Sequence, residues 1–190
     1  MGIYIANYRF VYISFWKDYK VLELFTPDEK LLFLYLLTNC NTTQIGVYKI
    51  LFKEISFMTG FTEETVSIMM DRFENNYKII KYNKKTREIC IVNWAKYNLN
   101  KLGGKPIYDC IRSELKRVDD VSLLEVILVY ITKEEIKKLF IEAINERKGH
   151  DDEFGKSSKS EFAYKYKKED DELYAKPSEE QLRRARELYC

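Results

Sequence analysis

The stretch "TGFTEETVSIMMDRFENN" (Thr59–Asn76), followed at once by "YKIIKYNKKTREICIVNW" (Tyr77–Trp94), carries the sharpest pattern in the chain. Gly60 falls in a turn, where glycine accepts the left-handed backbone at no steric cost. After Thr62 the apolar residues Val66, Met69, Met70 and Phe73 recur at i, i+3, i+4 and i+7, the spacing of one buried helix stripe. Residues 77–94 then switch period. They read as two strands, about Lys78–Tyr82 and Glu88–Trp94, joined by a polar, basic turn over Asn83–Arg87.

Upstream, Thr26 with Glu29 makes a capping box and Pro27 falls at the first helical position, so a helix is expected from there to about Thr38. Its nearly continuous apolar run, Leu31–Leu37, marks it as a core helix. The polar turn in "NCNTTQIGVYKI" leads to a short strand at about Ile45–Ile50, with Gly46 bending it near its start. A helix over about Leu51–Thr59 precedes Gly60. The order helix, strand, helix, turn, helix, hairpin is that of a winged helix-turn-helix, and the fold class expected is α+β, mainly α, with this domain over residues 1–98.

Outside that frame the opening "NYRFVYISFWKDYKVLELF" reads as an extended arm or edge strand, with a short helical turn around Lys20–Phe25. Its aromatic residues Tyr4, Tyr8, Phe10, Tyr12, Phe15 and Trp16 suit either of two jobs: padding a core or subunit interface, or stacking nucleic-acid bases. Downstream, "NLNKLGGK" (Asn98–Lys105) is a Gly-containing hinge, taken as residues 99–105. A helical extension over 106–148 follows. It carries Ile107, Cys110, Ile111 and Leu115 on one side, then "VSLLEVILVYI", then a helix opened by a second capping box, Thr132 with Glu135, with Ile136, Leu139, Phe140, Ala143 and Ile144 as its stripe. About forty residues are few for a separate core, so these helices need a surface: the winged helix, each other, or a second copy of the chain. Residues 149–177 are charged and patternless and read as a disordered linker, and Ser178 with Gln181 opens a short C-terminal helix over 178–190.

The chain of 190 residues holds 32 Lys+Arg against 30 Asp+Glu, a net charge of +2, so any attraction to nucleic acid must come from a local patch. No apolar run approaches the roughly 20 residues a bilayer requires, and no signal-peptide pattern stands at the N-terminus, which reads as cytoplasmic with no membrane partner. Cys40, Cys90, Cys110 and Cys190 are far apart and form no CxxC pair. The first three are expected to be buried or inert thiols. The single histidine, His150, lies in the tail, which removes Ser/His/Asp and Cys/His arrangements, and no phosphate-binding Gly-rich loop is present. The expectation is a protein that is not an enzyme and uses neither metal nor cofactor.

Two sets of residues are candidates for DNA contact. The wing and hinge offer Lys78, Lys81, Lys84, Lys85, Arg87, Lys101 and Lys105, which together would neutralise several phosphates and give salt-sensitive, sequence-tolerant binding. Lysines there can equally blunt an edge strand. The second set is on the helix. Its outward face carries Glu64, Ser67, Ile68, Asp71, Arg72 and Asn75, and only Ser67, Arg72 and Asn75 of these suit DNA contact. Glu63 and Glu64 complement the helix dipole but would repel a phosphate approaching the helix start.

The stretches "YISFWKDYKVLELFTPDEKLLFLYLLTNCNTTQIGVYKI" and "GFTEETVSIMMDRFENNYKIIKYNKKTREICIVNWAKYN", with the "GGKP" that follows, resemble the N-terminal region of DnaD-like replication initiation proteins, also called phage replisome organisers. The likeness covers about Tyr8–Ile144 and rests on "TPDEK", "TTQIGVY", "DRFENN" and "NWAKYN" in that order. It implies a winged-helix domain that forms homo-oligomers, in a protein that binds DNA and recruits a replicative helicase or its loader. The helices after Pro106 are shorter than the family's complete C-terminal domain. Two other classes fit the residues: a transcriptional regulator that reads an operator as a dimer, and an interaction scaffold with no DNA role.

Overall fold

Thr26 starts the first long helix, α1 (Pro27–Thr38), through a reciprocal cap: the Glu29 amide donates to Thr26 Oγ1 at 3.2 Å and the Thr26 amide donates to Glu29 Oε2 at 2.8 Å. A cap of this kind is worth about 1 kcal/mol. The helix buries one stripe, Glu29, Leu32 and Leu36, and leaves Leu31 50% exposed. Its run of leucines therefore exceeds what one face can hide, and α1 is half surface helix rather than the core helix its composition indicates. The computed structural model describes residues 8–101 and 103–148, which belong to one compact unit. The linker over 149–177 and the helix over 178–190 lie outside the described residues, as does Tyr4.

Three short antiparallel strands, β1 (Val47–Lys49), β2 (Ile80–Asn83) and β3 (Glu88–Ile91), form one sheet in the order β1-β3-β2. The register pairs Lys49 and Asn83 with Glu88 from either side. β1 is shorter than expected for a clear reason. Gly46 sits at φ +76°, and a Cβ there would lie 2.2 Å from Trp94 Cγ, so the chain passes directly beneath the indole and leaves the extended conformation. The indole is fixed in turn by its Nε1–H donating to the Gln44 carbonyl at 2.8 Å. Beyond Ile91 the chain turns into a π-helical turn, Ala95–Leu99, instead of extending the strand to Trp94.

Between β1 and β2 lie α2 (Phe52–Thr59) and α3 (Glu63–Asp71). Gly60 ends α2 at φ +80°, a conformation other residues adopt only with strain. Thr62 caps α3 by accepting from the Thr65 amide at 3.1 Å, and a π-helical turn, Arg72–Asn76, prolongs it. Val66, Met69, Met70 and Phe73 are all buried, as their spacing requires.

No strand forms in the opening segment among the described residues. Residues 8–12 form no regular element and are held by side chains instead of a ladder, with Arg9 donating to Gln44 Oε1 and to the Thr42 carbonyl, and Tyr12 Oη to the Tyr97 carbonyl at 3.2 Å. A 3-10 turn (Ile13–Lys17) and a π-helical turn (Lys20–Leu24) then lead to α1.

The helices that follow Pro106 close over the sheet. α5 (Val121–Leu128) packs on β3, and α6 (Glu134–Lys148) packs on both α4 (Lys105–Leu115) and α5. Two carboxylates, the buried Glu88 and the half-buried Glu114, fasten this layer to backbone amides. Glu88 accepts from the amides of Asp119 and Asp120, each at 2.8 Å, and Glu114 accepts from those of Gln44 and Ile45 at 3.0 and 3.1 Å. The segment read as a hinge is laid against the same layer: Leu99 is buried, Asn100 Nδ2 donates to the Tyr130 carbonyl at 3.0 Å, and the Thr132 amide donates to Asn100 Oδ1 at 2.8 Å. The Thr132 amide, which the expected Thr132–Glu135 box would give to Glu135, thus ties two segments together, and α6 begins at Glu134. No helix among the described residues is long and apolar enough to cross a membrane.

Candidate nucleic-acid interface

The β2–β3 turn is built by Asn83. Its Oδ1 accepts from the amides of Lys85 (2.8 Å) and Thr86 (3.3 Å), and its Nδ2 donates to Asp120 Oδ2 at the start of α5 (2.7 Å). A short polar side chain can close a turn this way because it substitutes for a backbone acceptor. Lys84, Lys85 and Arg87 are displayed as a result, all exposed, and none of them forms an ion pair among the described residues. Arg87 holds φ +60°, a left-handed position unusual for arginine, while its carbonyl accepts from the Ile50 amide at 2.9 Å.

The other basic candidates are placed differently. Lys81 joins Lys84 and Lys85 in lining a cleft of about 400 Å³, with Tyr82, Asp120 and Leu123 on its walls, but Lys81 is also paired with Glu74 at 2.8 Å. Lys78 is half-buried at φ +54°. Lys101 is engaged elsewhere: its Nζ donates to Tyr12 Oη at 3.1 Å and sits 4.5 Å from the centre of that ring. Lys105 is exposed at the first position of α4. Neither Lys101 nor Lys105 lines the cleft beside Lys84 and Lys85.

On α3 and its extension, Ser67 is exposed, and Asn75 is exposed with its Nδ2 donating to Asp71 Oδ1 at 2.7 Å. Arg72 turns inward. Its Nη1 lies 3.1 Å from Glu29 Oε1, its Nη2 donates to Tyr77 Oη at 2.6 Å, and its guanidinium stands 5.5 Å from the centre of the Tyr77 ring. Glu29 is fully buried, and Tyr77 Oη lies 3.5 Å from its Oε1. A buried carboxylate needs such a partner, since an unpaired charge in the interior is costly. The outward face of α3 is left with Glu64, Ser67, Asp71 and a 57% exposed Ile68.

The Arg72–Glu29 pair and the Glu88 and Glu114 anchors escape a reading of the sequence. Glu29 already had a local explanation as a cap, and the anchors bind amides with no side-chain signature. Burial pushes the Glu114 carboxyl above its ordinary value, against the amides and Arg9, which pull the other way. Cys90 is buried and its thiol is pushed up by that burial. Cys40 is exposed, in the polar turn after α1. Cys110 is half-buried beside Glu114, with Sγ 3.8 Å from its Oε1. Among the described residues no group of three or more His, Cys, Asp or Glu could hold a metal ion. Comparison with protein-family models, curated proteins and solved structures finds no match for the chain.

Proposed function

We propose that this chain is a non-enzymatic replication initiation protein of phage or mobile-element type. It is a winged-helix module that self-associates, contacts DNA through the β2–β3 turn with little sequence preference, and recruits a replicative helicase or its loader in the cytoplasm. The carrying observation is how positive charge is divided between two elements. Lys84, Lys85 and Arg87 are exposed on a turn fixed by Asn83, whereas Arg72, the only cation of α3 and its extension, is engaged with buried Glu29. Phosphate contact asks for exposed cations and carries no sequence information, which suits the first arrangement.

The element order and the β1-β3-β2 sheet support the winged-helix reading. Trp16, Leu22, Leu24 and Leu31, all exposed, offer apolar area for self-association. The helicase or loader as partner rests on the resemblance to DnaD-like proteins. An operator-reading dimer receives less support, since only Ser67 and Asn75 would remain to reach bases.

Binding to random and two-fold-symmetric duplexes, measured with the mass of the protein in solution, tests the reading. Equal affinities and a mass above that of one chain are expected. A marked preference for the symmetric duplex would favour the regulator, and no binding to any DNA at low salt would favour a scaffold.

A further inference from the structure

The opening segment holds a second surface, separate from the wing. Arg9 and Tyr12 pin residues 8–12 against the body through Gln44, the Thr42 carbonyl and the Tyr97 carbonyl. Between and before these anchors the rings of Phe10 and Tyr8 stay 74% and 70% exposed, and they touch edge to face at 5.4 Å. Tyr8, Phe10 and Tyr12 thus make an aromatic row along the segment, with Arg9 between the first two held at its anchor. Tyr12 meets Tyr97 at 5.9 Å. Two ammonium groups sit among the rings: Lys101 Nζ 4.5 Å from the centre of Tyr12, and Lys96 Nζ 5.7 Å from that of Tyr97.

We propose that this row is a stacking platform for single-stranded nucleic acid, with bases on Phe10 and Tyr8 and phosphates beside Lys96 and Lys101, which Tyr97 and Tyr12 hold next to them. The charge pattern selects this occupant. Lysine is depleted at the core of protein interfaces, whereas rings interleaved with cations suit a polyanion carrying a flat face on every unit. The two anchors also fix the row in advance, which lowers the entropy lost on binding. Stacking on a ring tolerates any base, so the platform has little sequence preference and takes only unpaired strands.

The test uses the full chain and a fluorescent oligo-dT of about 12 nucleotides, within the usual site size for such surfaces. Phe10→Ala is expected to weaken binding roughly tenfold, with duplex affinity and thermal stability unchanged. Phe10→Leu keeps apolar area but removes the ring, and a comparable loss is expected. Replacing Lys84, Lys85 and Arg87 should weaken duplex binding yet spare the Phe10 effect, so failure at the wing and failure at the arm are separable. Undiminished oligo-dT binding in both Phe10 variants would overturn the proposal. So would tolerance of leucine together with a fall in the mass of the wild-type assembly when Phe10→Ala is made, which would identify the row as an interface between copies of the chain.

Discussion

Two elements of this molecule, α3 and the β2–β3 turn, hold their charge in opposite ways. α3 shows solvent Glu64, Asp71 and Ile68, and the one arginine of its extension is drawn inside by Glu29. The β2–β3 turn shows Lys84, Lys85 and Arg87 from a loop that Asn83 and Asp120 hold in shape. In α3 the cation serves the interior, because the cap at Thr26 brings a carboxylate into a fully buried position and something must neutralise it. In the turn the interior asks nothing of the side chains. The comparison teaches that position in a motif does not assign a role; what each charge is already bonded to does.

Replacing Arg72 by Met removes the cation from Glu29 and should cost about 3–5 kcal/mol in denaturant unfolding, the range for breaking a buried pair. The folded fraction should bind duplex DNA as before. A large loss of binding in folded protein would put Arg72 at the interface and break the contrast between the two elements. Glu29→Ala attacks the same pair from the other side. It should cost somewhat less, about 3 kcal/mol including the cap, because the Arg72 side chain is already 40% exposed and can turn to water. Glu29→Gln keeps an acceptor for Thr26 and should recover part of that loss.

Asn83→Ala removes the acceptor of two amides and the donor to Asp120, with an expected loss of about 1–2 kcal/mol by thermal or chemical unfolding. It should also weaken duplex binding, because the turn that displays the lysines loses its shape; unchanged binding would show that the display needs no bracing. The smallest effect belongs to Glu64→Lys. Reversing a charge in the first turn of α3 costs up to about 1 kcal/mol. If phosphates stay away from α3, duplex affinity should move by less than about threefold, whereas a gain of one phosphate contact would steepen the salt dependence by about 0.9.

Much of the α+β frame was legible because its signals are local. Thr26 and Glu29 are three residues apart, the Val66–Phe73 stripe spans two turns, and Gly60 marks its own turn. What escaped depends on residues far apart in the chain. Gly46 could be read as a bend, but not as the place where Trp94 leaves no room for a Cβ. Glu88 and Glu114 look like surface acids until the amides of Asp119, Asp120, Gln44 and Ile45 reach them. Thr132 and Glu135 fit a capping box, yet Asn100 takes the amide from 32 residues away. Within the candidate site the basic turn was visible from composition alone. The sorting of its lysines was not: Lys81 to Glu74, Lys101 to Tyr12, and Lys84, Lys85 and Arg87 to solvent.

The salt dependence of duplex binding probes that sorting most directly. If the turn carries the phosphate contacts, replacing Lys84 and Lys85 by Ala and Arg87 by Gly should flatten the slope of log affinity against log salt by about 2.7, at about 0.9 for each of three contacts. Arg72→Met should leave the slope unchanged. A slope preserved in the turn variant, or one that flattens in Arg72→Met instead, would contradict the assignment of DNA contact to the β2–β3 turn.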